Sequence, residues 1–304
     1  MNRLPIEKHA QIIGLLVEGM SMRAVTRITG VSINTVTKLL EDVGMACNLY
    51  QAQALVPCKA VQCDEIWAFC GKKQKNVRGP ELDVLGIGGV WTWTAICADT
   101  KLMVTYAVGK RDVTYAAPFI MDLASRLANR IQLSTDGHHA YVRAVEAGFA
   151  GEVDYGMLKK IYGNGPQSDQ RRDSPAEFVT AEKRVMVGNP DEAKISTSYL
   201  ERQNLTKRMG MRRFTRLTNG FSKKVENLEH AVSLHFMHYN FARIHKTLRV
   251  TPAMAAGIAD HVWGLEEIAR PPCVSEGEIL RQAAPSPYHL YPHRRLPTRP
   301  ERWT

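Results

Sequence analysis

Residue 60 marks a change of rhythm in this chain. Before it, apolar residues recur at helical spacing; after it they fall into strand-length runs rich in β-branched and aromatic residues. Ala60 to Phe69 and Gly86 to Ala98 read as strands, and a turn at Asp99-Thr100-Lys101 leads to a third, Leu102 to Gly109. A helix with Phe119, Leu123 and Leu127 on one stripe is predicted over Thr114 to Asn129. A fourth strand follows over Arg130 to Thr135, where Ile131, Leu133 and Thr135 alternate. A short helix over Ala140 to Phe149 and a strand near Val153 to Met157 complete the run. Three hairpin-linked strands followed by alternating helix and strand predict an α/β fold, a mixed sheet with helices on its faces.

The segment before residue 45 reads as three short helices. Lys8 to Glu18 carries Ile12, Ile13, Leu15 and Leu16 and stops at Gly19; Ser21 caps Met22 to Thr29, which stops at Gly30; Ser32 caps a third helix that runs to about Val43 and stops at Gly44. With Val25, Val31, Val36 and Leu39 facing inward and the small Thr26 at the contact, this is a helix-turn-helix pattern. Asn34, Thr35 and Lys38 then point outward from the third helix, where short polar side chains can reach base edges and phosphates in a major groove. The expected organisation is a small all-α helix-turn-helix domain over 1–44, a linker over 45–59, an α/β domain over 60–256, and an extension over 257–304. Residues 162–195, polar and broken by glycine and proline, read as a loop or insertion available to touch DNA or a second subunit. Helices return at about Thr197 to Met209 and Lys223 to Ile244. Past Arg270, seven prolines in 34 residues together with Arg294, Arg295, Arg299 and Arg302 indicate a poorly ordered basic tail.

The formal net charge of +10 calls for a polyanionic partner. Its distribution favours nucleic acid over a membrane surface: from Arg202 to Arg249 eleven Lys or Arg stand against two acids, Glu226 and Glu229, interleaved with Phe214, Phe221, Phe236, Tyr239 and Phe241. No apolar run is long enough to span a membrane, and the N-terminus lacks the core of a secretory signal, so a cytosolic protein is expected. The six cysteines, 47, 58, 63, 70, 97 and 273, follow no metal-binding spacing. Cys58, Cys63 and Cys70 lack the close pair of a zinc site, so reduced, buried thiols are expected.

Three acids stand where acids are costly. Asp64 lies inside the apolar run Val61 to Trp67, and a carboxylate there needs a partner or a metal. Strand alternation sends Asp64 and Glu65 to opposite faces, so one ion is not expected to use both. Asp136 follows the end of another strand, where ligand sites of open α/β sheets gather. Glu201 lies on a helix whose same face carries Asn204 and Arg208. Brought together, these carboxylates would make an all-oxygen site for Mg²⁺ or Mn²⁺, and two such ions can serve an in-line phosphoryl displacement. Singly, Asp136 also fits a plain turn residue and Glu201 a surface helix acid. Trp67, Trp91 and Trp93 read as core or strand-pairing aromatics.

The motifs Cys-Asp-Glu-Ile-Trp, Ser-Thr-Asp-Gly-His-His-Ala-Tyr, Ser-Tyr-Leu-Glu-Arg-Gln-Asn, and Tyr239-Asn240-Phe241-x-Arg243-x-His245-x-x-Leu248 with Thr251-Pro252-Ala253 closely resemble bacterial insertion-sequence transposases of the Asp-Asp-Glu type, nearest to the insertion-sequence-one-like group. The resemblance spans about residues 20–256 in the expected order. It implies a ribonuclease-H-like core and metal binding by Asp64, Asp136 and Glu201. It also implies cleavage of double-stranded DNA at element ends, transfer of a 3′ hydroxyl into target DNA, and a dimer or larger assembly on paired ends. Arg208 matches the basic residue two helical turns beyond the Glu, with Lys207, Arg212 and Arg213 as basic neighbours available to DNA. His138 is a further candidate DNA contact, and Asn204 is placed to orient Glu201. Two rival readings are a DNA-binding regulator without catalysis and a nuclease that cuts without joining.

Overall fold

The computed structural model describes residues 4–84, 86–163, 178–215 and 218–271; the Pro/Arg-rich tail and the centre of the 162–195 segment lie outside the described residues. Six strands form one sheet: β1 (Ala60–Cys70), β2 (Gly88–Cys97), β3 (Met103–Gly109), β4 (Gln132–Asp136), β5 (Asp154–Tyr162) and β6 (Phe178–Val187), in the order β3-β2-β1-β4-β5-β6. The first three pair antiparallel, β4 joins β1 and β5 joins β4 in parallel, and β6 returns antiparallel along β5. Parallel neighbours need crossover connections. The helix α4 (Val113–Ser125) lies between β3 and β4 in the chain, and α5 (Ala140–Phe149) lies between β4 and β5.

Alternation along β1 divides the core in two. Val61 and Cys63 point to the face covered by α4 and α5, where Trp93 and Ala95 of β2 meet Phe119, Leu123, Tyr141 and Val145. Ile66 and Ala68 point the other way, onto α6 (Ser198–Gly210) and α7 (Val225–Met237), against Leu200, Leu228, Val232 and Phe236. Among the described residues no helix is long and apolar enough to cross a membrane.

Several elements depart from their sequence expectations. The 162–195 segment is not only a loop: β5 runs on to Tyr162, and β6 forms the sheet edge from Phe178. β6 does carry a partial alternation, Val179, Ala181, Val185 and Val187, but the polar, Gly- and Pro-broken stretch around it masks the strand. Asp136 is the last residue of β4 rather than the residue after it, and α4 ends at Ser125, before the expected Asn129.

Three helices precede the sheet: α1 (Ile6–Val17), α2 (Met22–Thr29) and α3 (Ile33–Gln51). Ser21 and Ser32 accept from the Ala24 and Thr35 amides at 3.2 Å, and Gly30 ends α2 with φ of 70°. Gly44, by contrast, does not end α3. A Cβ at that position would come within 2.6 Å of His230 Cβ on α7, so the glycine permits close approach of two helices and the chain stays helical to Gln51. The opening of the expected linker is therefore a packed helix.

The Tyr239-Asn240-Phe241 motif sits in a π-helical turn, His238–Ala242, that continues α7. Asn240 acts there as a substitute strand neighbour for β3: its Oδ1 accepts from the Met103 amide at 2.9 Å and its Nδ2 donates to the Met103 carbonyl at 3.0 Å. Tyr239 donates its hydroxyl to the Lys101 carbonyl at 3.0 Å. Both motif residues thus secure the turn and the start of the β3 edge.

Candidate active site

The β1–β4 register creates the site. The last parallel pair is Cys63 with Thr135, so the next residues, Asp64 and Asp136, emerge side by side where β4 stops. Asp64 Oδ1 accepts from the Glu65 amide at 2.8 Å, and its Oδ2 accepts from Asn204 Nδ2 on α6, also at 2.8 Å. Asp136 Oδ1 accepts from the His138 amide at 3.0 Å, while its Oδ2 meets an Arg111 guanidinium nitrogen at 3.3 Å.

Glu65 corrects one expectation. Alternation does send it to a different partner set, Arg111 and the Tyr141 hydroxyl of α5. Even so, oxygens of Asp64, Glu65 and Asp136 lie within 4.8 Å of one another. A long side chain beside the terminal residue of a neighbouring strand escapes the strict division into two faces. Neither Glu65, Arg111 nor Tyr141 was singled out from sequence as part of the site; the adjacency of Glu65 to Asp64 was the available signal, and the other two are distant in the chain.

Glu201 lines the same cleft as Asp64 and Asp136, with Arg111, Lys159 and Lys160 also on its walls. It stands apart from the tight carboxylate group, because its Oε1 accepts from Lys160 Nζ and from the Thr197 hydroxyl. The start of α6, on which Glu201 rides, is fastened by Gln62 of β1, whose Oε1 accepts from the Tyr199 and Leu200 amides at 2.9 and 3.3 Å. These are orphan donors of a helix N-terminus, which no side chain of Thr197 satisfies. Gln62, also missed from sequence, therefore links the strand bearing Asp64 to the helix bearing Glu201.

Burial first, then the neighbouring Asp136 charge, pushes the Asp64 carboxyl up to about 6 and that of Glu65 up to about 7, against the opposing pull of Arg111 on Glu65. Such a group of carboxylates is poorly compensated at neutral pH, the condition in which a hard divalent cation is most favourable. His138 is half-buried and stacks on Trp93 with ring centroids 5.9 Å apart; burial, then Arg111, lowers its pKa. The fully buried Trp93 donates to the Lys110 carbonyl at 3.1 Å and so anchors the platform under His138.

The basic residues divide. Arg208 and Arg212 are exposed along and beyond α6. Lys207 is 0% exposed, so the expectation that it reaches DNA is not met in this structure; its Nζ has no hydrogen-bond partner, and burial pushes its pKa down to about 7. Arg213 is half-buried and donates to Ser222 Oγ at 2.6 Å. Asn204 is buried and engages Asp64, not Glu201 or solvent. In the N-terminal helices Asn34, Thr35 and Lys38 are exposed, Thr35 beside the Ser32 hydroxyl and Lys38 paired with Asp42 at 2.9 Å. The five described cysteines are free and buried; Cys273 lies outside the described residues.

No family model matches the sequence, and no curated protein matches it. Among solved structures, a piggyBac transposase synaptic complex with hairpin DNA aligns at a TM-score of 0.39 and 11% identity, over 89% of this chain and 70% of that one. The Mos1 strand transfer complex aligns at 0.23 and 13% identity, over 78% and 76%. Both scores fall below 0.5, so the functional reading rests on this chain's own residues.

Proposed function

We propose that this chain is a DNA transposase of the Asp-Asp-Glu type, on a ribonuclease-H-like core, that cleaves at the ends of its element and joins the 3′ hydroxyl to target DNA. The observation that carries the reading is the convergence of Asp64, Asp136 and Glu201, 137 residues apart at the extremes (201 − 64), on one basic-walled cleft. The hairpin-linked β1 to β3 followed by parallel β4 and β5 supports the core assignment.

Asp64 and Asp136 would hold the Mg²⁺ or Mn²⁺ ions, with Glu201 completing the set once it leaves Lys160; the all-carboxylate donors suit these hard cations. Bound there, two ions would neutralise charge on the transferring phosphoryl group and favour ionisation of the attacking hydroxyl. Asn204 fixes the Asp64 carboxylate, and Gln62 fixes the helix that brings Glu201. Lys159 and Lys160 stand at the rim, where a DNA phosphate would meet them. Glu65, held by Tyr141 and Arg111, serves as the buried floor of the acid group. The α2–α3 pair, with Asn34, Thr35 and Lys38 outward, is assigned as a helix-turn-helix that reads the ends, and the working assembly as a dimer or larger complex on paired ends.

The test uses duplex DNA carrying the element's ends, a target plasmid, and Mg²⁺ or Mn²⁺. Cleavage exposing a 3′ hydroxyl, followed by joining, is expected; cutting without joining identifies a nuclease. Asp64→Asn, Asp136→Asn and Glu201→Gln should each abolish cleavage while DNA binding persists. Activity retained in any of them removes that residue from the catalytic set.

A further inference from the structure

Beyond the acid cleft, β1 outruns its neighbour. β4 stops at Asp136, and on that side Cys70 instead meets Ser222 in an isolated parallel bridge, with the Gly71 amide donating to the Ser222 carbonyl at 2.8 Å. The projecting half of β1 carries Trp67 and Phe69 at alternate positions, on the face that Glu65 also shares. The Ser222 bridge sets Phe221 beside Phe69, ring centroids 4.5 Å apart, and Phe69 lies 5.8 Å from Trp67. The three tilted rings, inclined by 34° and 32° from one to the next, form a continuous track.

The track is not core. Trp67 faces Trp91 in the β1–β2 register, as a strand-pairing aromatic should, yet it remains 39% exposed. Gly89 makes room for its indole, since a Cβ there would lie 3.2 Å from Trp67 Nε1. Cations border the rings: Lys223 Nζ stands 3.5 Å from the Phe221 centroid, and the exposed Lys73 and the Arg213 side chain line the hollow of about 380 Å³ beside Trp67 and Phe69.

We propose that the Trp67–Phe69–Phe221 track is a second nucleic-acid site that stacks unpaired bases of a DNA strand, with Lys223 and Lys73 meeting its phosphates. The exposed Trp67 ring, extended by the half-buried Phe69 and Phe221, offers an aromatic surface that any base can stack on, while the bordering positive charges match a phosphate backbone and disfavour a cationic or purely apolar occupant. Bases inside a duplex have their faces occupied by their neighbours, so the track selects a strand that is single or locally opened. Trp67 is three residues, about 10 Å along an extended strand, from Asp64. Alternation sets Trp67 on the face of β1 opposite Asp64, so if the proposed function holds, which the location alone rests on, the unpaired stretch passes the β1 edge that β4 leaves open.

The experiment measures binding rather than catalysis, so its failure is separate from that of the transposase reading. Full-length protein carrying Asp64→Asn is titrated against labelled oligothymidylate and against a duplex of equal length, by fluorescence anisotropy. Trp67→Ala should weaken single-strand binding about tenfold, and Trp67→Phe should restore most of it. Lys223→Ala should weaken the single strand and flatten its salt dependence, and duplex affinity of Trp67→Ala should stay within about twofold of the parent. Equal melting temperatures establish that each variant is folded. Unchanged single-strand affinity in Trp67→Ala, or an equal loss on both DNAs, overturns the proposal. So does a Trp67→Ala protein that turns from dimer to monomer with single-strand binding intact, which would make the face a contact between copies.

Discussion

The acids of the cleft differ in what surrounds them, and that difference predicts different failures on substitution. Glu65 is buried between Tyr141 and Arg111, whereas Glu201 is exposed and held by two replaceable contacts. The folded Glu65 carboxyl, at about 7 against the ordinary 4.5, makes stability from this group fall as pH rises between these values, so Glu65→Gln should gain on the parent in urea denaturation as pH is raised from about 5 to about 8. Glu201→Gln should leave the denaturation midpoint nearly unchanged while cleavage is lost. Lys207 gives a pH signature. Its folded pKa, near 7, lies below the ordinary 10.5, so between these values the unfolded chain binds the extra proton and stability from this group rises with pH. Lys207→Met should melt higher than the parent at pH 7, and the difference should shrink as pH rises towards 10. A gap that is absent at pH 7 or widens with pH contradicts the buried, unpaired ammonium.

At the level of elements, much was legible and the omissions have physical reasons. Strands β1 to β4 and helices α1, α2 and α5 announce themselves through strand-length apolar runs and helical period, with Ser21 and Gly30 marking the bounds of α2. Local rules failed where the decisive partner is remote in sequence. Gly44 looks like a stop signal until α7 is known to press against it, and the partial alternation of β6 is masked by the polar, Gly- and Pro-broken stretch in which it lies. The carboxylates of Asp64, Asp136 and Glu201 were legible as costly or motif-bearing acids, but Gln62, Arg111 and Tyr141 join the site only through the fold. Two substitutions test these contacts. Gly44→Val should destabilise the protein by about 1–3 kcal/mol by overpacking the α3–α7 contact. Gln62→Ala strips the start of α6 of two accepted hydrogen bonds, so it should cost about 1–3 kcal/mol and slow cleavage more than DNA binding. A fully active Gln62→Ala would show that α6 needs no such fastening.

On the scale of the whole molecule, one core cluster runs from Ile12, Val25 and Val36 of the N-terminal helices through Cys47 to the sheet residues Val61 and Trp93. The N-terminal helices are thus packed onto the same body that carries the acids, and truncation before residue 45 should lower the melting temperature as it uncovers α7. The surplus of ten positive charges belongs to this scale as well. DNA affinity should fall steeply and linearly in log–log form with added salt, as phosphate contacts release counterions. The acid group sits within this positive field as a local negative centre, the arrangement expected where cations bridge protein carboxylates to a phosphodiester. Calorimetric titration of Mn²⁺ into folded wild-type, Asp64→Asn and Asp136→Asn proteins puts that assignment to the test. Saturable binding to the wild type that disappears in both variants is the predicted result; binding of equal strength and stoichiometry in all three would contradict it.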